Sequence, residues 1–447
     1  MSYVSRVVDL LDPSTNTFTN VTVDEARARV LSGDPAAVRA IDGSFALVAS
    51  EGITVRMARS MDRPLRYFLA KRHEGPALYV ADRIDTLHRA LAADGLDAQF
   101  HPSYTRMVPA HHVVELALVG CPDPSPTYTR FFTPDRAALP PDLDEIGRRY
   151  IGALADEIAK WLTSIHARDP EAPIGVAFSG GIDSGSVFLV TYHTMLRLGM
   201  SPQRLKAFVL NIGAGDANPG PDVAQARTFL ASTGLSMFLE EIGGAAEDLD
   251  ACETIKVLED YKPLDVECAS MGLRLFRGIR ERYPQWRDIA DGDGGDENLK
   301  DYPIEENSEL TIRSVVDNLM LYQEGWGVGR IKHSLTYSGG LSRSYVRTYA
   351  PARRYGFAGF SPYTRPNVME IAEGIPFAAL TGYDVPALYS LKGEIVRRGV
   401  RAVTGIDMPV FEKRRFQHGA IAVDAMRQRL GGSESAYRRA FTSLYQT

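Results

Sequence analysis

Cysteine is scarce in this chain: Cys121, Cys252 and Cys268 are scattered along it. An odd number without C-x-x-C spacing excludes a disulfide framework and a structural zinc site, and reads as idle thiols in a reducing compartment. Long hydrophobic runs are also missing. None approaches the ~18 apolar residues of a membrane span, and the opening Met1-Ser-Tyr-Val-Ser-Arg lacks a basic-then-apolar leader. The expectation is a cytoplasmic protein with no membrane partner. Excess charge of one sign is absent too: 50 basic residues face 56 acidic ones, a formal net charge of -6. No bulk field draws such a chain to nucleic acid. There is no internal repeat and no pair of histidines at zinc-ligand spacing. The G-x-x-x-x-G-K-[ST] phosphate loop is missing as well, which argues against a kinase or GTPase acting on a γ-phosphate.

What is present is an ordinary globular composition, 45% hydrophobic and 24% charged over 447 residues. Single cores stop growing near ~250 to 300 residues, so two domains are expected. Short apolar runs broken by turns, at Ala40–Ala49, Ile53–Ala58, Leu65–Ala70 and Ala77–Ala81, predict an antiparallel, β-rich domain over 1–137. Proline and small residues around Thr133–Pro141 read as a linker. From 138 to 447 apolar strands alternate with helices. Ile174–Phe178 precedes a helix over Ser184–Leu198, and Leu205–Leu210 precedes one over Asp222–Thr233. Arg287–Ala290 is a further strand. That alternation predicts an α/β fold with a parallel sheet and a ligand site at the carboxyl ends of its strands. From Glu309 onward the reading is largely helical, with loops.

Two segments carry chemistry. In Ala177-Phe-Ser-Gly-Gly-Ile-Asp-Ser184, Gly180 and Gly181 permit close backbone approach where a strand gives way to a helix. Amides at that helix N-terminus can donate to phosphate oxygens. Ser179 and Ser184 add hydroxyls, and Asp183 is a hard ligand for magnesium. In the second, Asp291-Gly-Asp-Gly-Gly-Asp-Glu297, the glycines, Gly292 first, leave room for phosphate. Asp296 completes the metal coordination begun by Asp183. The residues therefore point to ATP and Mg2+, with cleavage between the α and β phosphates.

Together these segments resemble the synthetase domain of asparagine synthetases and their relatives, the β-lactam, carbapenam and lasso-peptide macrolactam synthetases. The resemblance runs from about Ala40 to Ala420. It implies a pyrophosphate-loop domain of the adenine nucleotide α-hydrolase type behind a degenerate Ntn-type glutaminase domain. The family's S-G-[ED]-G-x-D-E loop is matched at 291–297 with Asp291 in place of serine. Leu210, in Val209-Leu-Asn-Ile-Gly213, stands in the strand whose backbone meets adenine in the family. Lys413, in Lys413-Arg-Arg-Phe-Gln-His-Gly419, matches the lysine that faces the phosphates and the acyl-adenylate. Lys392 matches a helix motif placed near phosphate.

Two departures matter. The glutaminase domain normally exposes a catalytic cysteine after Met1, where this chain has Ser2, so the N-terminal domain is expected to be a structural remnant that does not use glutamine. In the E-x-R-x-P-F-L-D motif, aligned through Arg347, Tyr355-Gly356 and Pro362-Tyr363, Ala358 replaces the glutamate and Phe360 the arginine. Without that glutamate, a tyrosine becomes the candidate for deprotonating the amine, as in the β-lactam branch. Tyr345 and Tyr355, with Tyr337 and Tyr349, lie in that region. The expected activity is AMP-forming ligation of a small-molecule carboxylate to an amine, in natural-product or antibiotic biosynthesis. Intramolecular lactam or macrolactam formation and a pyrophosphate-loop tRNA-modifying reaction are the alternatives. Whether the chain forms a homodimer is left open.

Overall fold

The computed structural model describes residues 6–119, 125–212, 220–302, 304–306, 310–318, 345–411 and 423–446. The chain divides into two compact units that meet in sequence between Thr133 and Pro134, four residues ahead of the expected boundary. The second unit does not run to the C-terminus as expected, because residues from Arg438 onward group with the first. Aromatic packing accounts for this return: Tyr445 meets His88 and Phe100 at ring-centroid distances of 5.8 Å.

The first unit is β-rich, and two four-stranded sheets account for its main strands. One contains the antiparallel pair Ala46–Glu51 and Thr54–Arg59 beside His112–Ala117. The other pairs Arg66–Arg72 with Gly75–Ala81, and also holds one parallel pair, Arg6–Asp9 against Gly75–Ala81. Arg59, at the end of strand 54–59, is fully buried. Its guanidinium donates to the carbonyls of Val108, Ser60, Met61 and Arg63 at 2.5, 3.2, 3.2 and 3.0 Å. It acts here as a staple between two loops, satisfying carbonyls that would otherwise be buried without donors.

The second unit is the α/β fold expected from the alternating pattern. Its strands are β1 (Ile174–Ala177), β2 (Leu205–Ile212), β3 (Leu239–Gly244), β4 (Asp288–Ala290) and β5 (Ala358–Phe360). They form one sheet in the order β3-β2-β1-β4-β5, with every neighbouring pair parallel. Helices named below are α1 (Leu143–Arg168), α2 (Ile182–Arg197), α3 (Pro221–Ser232), α4 (Pro263–Arg282) and α5 (Val385–Thr404). Strand β5 lies in the stretch read from sequence as helices and loops. With three residues, one of them Gly359, it is too short to show a period of two.

The sheet buries both faces, which is why its strands read as continuous apolar runs. Val176, Ala207 and Val209 pack with α1, α2 and α5 side chains such as Ile151, Leu154, Val187 and Ile395. Phe208, Leu210 and Ile289 pack on the other face with Met271, Leu275 and Ile279 of α4. Strand order reverses between β1 and β4, because the chain leaves β1 toward β2 and returns on the far side at β4. In open parallel sheets that reversal opens a crevice at the carboxyl ends of the two strands, and ligands bind there.

A pH dependence follows from the first unit. His111 and His112 are buried. Burial, with Arg59, His112, Arg130 and Arg39 nearby, holds the His111 imidazole well below its usual range. Burial first, and Arg130 and Arg59 after it, lower His112 to about 4. An unfolded chain binds protons on both rings near pH ~6.5 while the folded chain does not. Stability is therefore complete above that pH and declines as pH falls below it. Hydrogen exchange in strands 54–59 and 112–117, corrected for intrinsic rates, is expected to quicken between pH 7.5 and 5.5. His111→Asn, which tolerates the left-handed backbone at φ 61, should flatten that response.

Candidate active site

Both acidic segments sit at the crevice. Residues 178–181 follow β1 and lead into α2, and residues 291–297 follow β4. In the first, Gly180 has φ +72, and a Cβ there would stand 2.9 Å from the Ala226 backbone of α3. Glycine thus satisfies both the left-handed turn and the close passage of α3. The Ser179 and Ser184 hydroxyls are 3.2 Å apart, and Gly181 N–H donates to Ser179 Oγ at 3.3 Å. Gly181 caps α2 with extended backbone and no side-chain cap. This leaves the positive end of a 16-residue helix as the natural seat for phosphate.

The second loop is pressed against the first turn of α2. A Cβ on Gly292 would fall 2.6 Å from the Ser184 amide nitrogen, so only glycine brings the two loops this close. Their carboxylates meet at one cation. Lys392, on α5, is 3% exposed and its Nζ lies 2.6 Å from Asp183 Oδ2. The same Nζ pairs with Asp296 Oδ1 and lies 3.5 Å from Asp301 Oδ2. Burial disfavours the ammonium, but Asp183, Asp296 and Asp301 outweigh it and hold its pKa well above the usual lysine value. Lys392 is thus a permanent cation that gathers the carboxylates. The sequence reading placed Lys392 near phosphate and gave no hint of this clamp.

Beside it lies a second polar group that sequence reasoning passed over. Asp293 accepts from Thr348 Oγ1. Exclusion from solvent pushes its carboxyl up to about 6, against the lowering effects of Thr348 and Arg347. Arg347 and Thr348 belong to a single π-helical turn, Tyr345–Tyr349, a geometry common at functional sites. Arg347 lies 3.9 Å from Asp265, the third residue of α4. Asp265, Cys268, Glu297 and Asp293 keep its guanidinium firmly charged despite burial. Asp293 was within the quoted acidic loop. What marks it out is the contact with Thr348, 55 positions later, which no local pattern encodes.

The remaining expectations divide. Leu210 is in β2, where that strand runs past the end of β1 beside β3. Phe178 N–H donates to Phe208 O at 2.8 Å. Backbone alternation therefore aims the Leu210 N–H and C=O the same way, into the space above the first loop. Tyr355 is not brought to the site. It precedes β5 at its amino end, with its carbonyl accepting from Arg280 Nε at 2.8 Å, and parallel pairing places that end opposite both loops. Lys413, Tyr337 and the side chain of Tyr345 lie outside the described residues.

Two carboxylates from separate loops, next to a helix N-terminus that no side chain caps, fit magnesium. This ion takes one or two carboxylates and completes its octahedron with phosphate and water. Among the described residues no cluster of three or more His, Cys, Asp or Glu side chains forms an all-protein metal cage. No helix among them is long and apolar enough to cross a membrane.

Comparison with known proteins gives one family: residues 165–365 match the model described as Asparagine synthase. No curated protein matches the chain. Among solved structures, NAD+ synthetase from Burkholderia pseudomallei is similar at 13% identity, covering 69% of this chain and 91% of that one, with a TM-score of 0.23.

Lys392→Met is expected to leave Asp183 and Asp296 facing each other without their cation. Removing one partner of a buried ion cluster costs ~3–5 kcal/mol, and partial exposure of both carboxylates places this case at or below ~3 kcal/mol. Thermal unfolding is the check, and magnesium should restore part of the loss in the variant while changing the parent little.

Proposed function

We propose that this protein adenylates a small-molecule carboxylate with ATP and transfers the acyl group to an amine, a reading supported by the match of residues 165–365 to the Asparagine synthase model. The observation that carries the proposal is the convergence of Asp183 and Asp296 on Lys392 at the strand reversal, beside the N-terminus of α2.

The chemistry assigns a task to each group. The backbone of β2 at Leu210 would hold the adenine of ATP, and residues 179–184 its phosphates. A substrate carboxylate oxygen attacks the α-phosphorus, the bond from that phosphorus to the bridging oxygen breaks, and pyrophosphate leaves. Asp183 and Asp296 would hold magnesium, which supplies charge neutralisation on the departing pyrophosphate. The Ser179 and Ser184 hydroxyls and the amides of the helix end stabilise the same charge. Lys413 is assigned to it by resemblance alone.

The amine half-reaction needs a base, and Ala358 stands where the resembling motif has glutamate. Asp293 takes that role in this reading. A carboxyl raised to about 6 is ionised at neutral pH yet basic enough to accept a proton as the amine attacks the acyl carbon and AMP leaves. Arg347 alongside keeps that carboxylate and the substrate's own charge in balance. In this reading a natural-product setting agrees with the altered motif, in which Ala358 and Phe360 stand where the resembling enzymes have glutamate and arginine.

Magnesium-dependent exchange of labelled pyrophosphate into ATP, across a panel of carboxylic acids, tests the first half. One acid should support exchange in the parent protein and none in Asp183→Ala; exchange that survives this substitution removes the proposed metal site. In Asp293→Asn, exchange should persist while amide formation falls about 100-fold or more. In the parent, amide formation should rise with pH through about 6 as Asp293 ionises. Equal loss of both half-reactions in Asp293→Asn would place the residue elsewhere in the mechanism. The product mass separates the inter- and intramolecular versions, since ring closure removes one water from a single substrate.

A further inference from the structure

Tyr363 follows β5 in the short turn Pro362–Thr364 and is completely buried. In the resembling motif aligned with this stretch its position is a phenylalanine, so the hydroxyl is a departure from that motif. That hydroxyl is 2.6 Å from Ser186 Oγ, which in turn is 2.8 Å from the carbonyl oxygen of Asp183. A carbonyl only accepts, so Ser186 donates its one hydrogen to Asp183 and Tyr363 must donate to Ser186. Burial, with the Asp183 charge next, raises the Tyr363 hydroxyl pKa, which keeps the proton needed for that direction.

The same residue reaches the second loop through its backbone. Asn298 Nδ2 donates to the Tyr363 carbonyl at 2.9 Å and to Tyr150 Oη at 3.2 Å. Asn298 is two residues beyond Asp296 in the short helix Gly295–Asn298. The Tyr363 ring stacks on Tyr150 of α1 at 5.7 Å. One side chain and its own carbonyl thus join the helix turn bearing Asp183, the helix turn bearing Asp296 and the long helix α1 behind them.

We propose that Tyr363 is a positioning residue that fixes the separation of Asp183 and Asp296 through the Tyr363–Ser186–Asp183 hydroxyl chain and the Asn298 bond, and thereby sets the affinity for metal–nucleotide. The proposal rests on the reading of Asp183 and Asp296 as ligands for the ATP-bound cation. Its physical basis is that groups holding metal ligands in place typically govern affinity by about 10- to 100-fold.

The test is binding of Mn2+ together with ATP to the full chain, followed by electron paramagnetic resonance. Tyr363→Phe, which keeps the stacked ring, should weaken binding about tenfold while unfolding at nearly the parental temperature. Ser186→Ala should weaken it to the same extent, and the double variant no further, because both interrupt one chain. Parental binding by Tyr363→Phe or by Ser186→Ala would overturn the proposal alone, as would fully additive losses. A parent chain that binds no Mn2+ with ATP would overturn the nucleotide reading and this proposal with it.

Discussion

The site depends on the contact between Lys392 and the carboxylates of Asp183, Asp296 and Asp301. Like charges drawn from separate loops repel strongly where solvent is excluded. A cation anchored on a third element allows them to share a small volume. Lys392 enters from α5, whose neighbours Leu391, Ile395 and Val396 belong to the main core. The lysine is therefore fixed by packing before it meets any carboxylate. Much of the second unit can be understood as a frame for that meeting. The parallel sheet delivers both loops to one edge, the glycines let them touch, and α5 closes them from the side.

A second layer of polar contacts stands behind the clamp. Ser186, Tyr363, Asn298 and Tyr150 connect α1, α2 and the segments after β4 and β5 by hydrogen bonds and one aromatic stack. Buried hydroxyls and amides are costly unless satisfied, so each bond in such a network constrains the others. The front of the site is different in character. Asp293, Thr348, Arg347 and Asp265 form a largely buried charged cluster whose members come from the second loop, a π-helical turn and α4. In the proposed reaction the hydrogen-bonded back faces the nucleotide and the charged front faces the acyl acceptor.

The sequence made the frame legible for clear physical reasons. Strands β1 and β2 are largely buried and therefore read as apolar runs, and the switch from strand to helix at Ala177–Ser184 carries its own glycine and serine signature. Asp183, Asp296, Ser179 and Ser184 could be named from that local chemistry. The clamp could not be read, because Lys392 meets Asp183 across 209 positions and nothing in a helix motif specifies which carboxylate a lysine will face. The same limit hid Thr348 beside Asp293. It also drew Tyr355 toward the site, since a place in the resembling motif does not reveal that the start of β5 lies at the far end of the sheet. The three-residue β5 and the return of the C-terminal residues to the first unit escaped for a related reason: each is stabilised by partners distant in the chain.

The central claim is activation of a carboxylate at the α-phosphorus. Transfer of 18O from a labelled carboxylic acid tests it directly, once an acid that supports turnover is in hand. The account predicts one 18O atom in the released AMP and none in pyrophosphate or phosphate, because the carboxylate oxygen that attacks the α-phosphorus remains on AMP after acyl transfer. Label in inorganic phosphate, or AMP free of label, would contradict it.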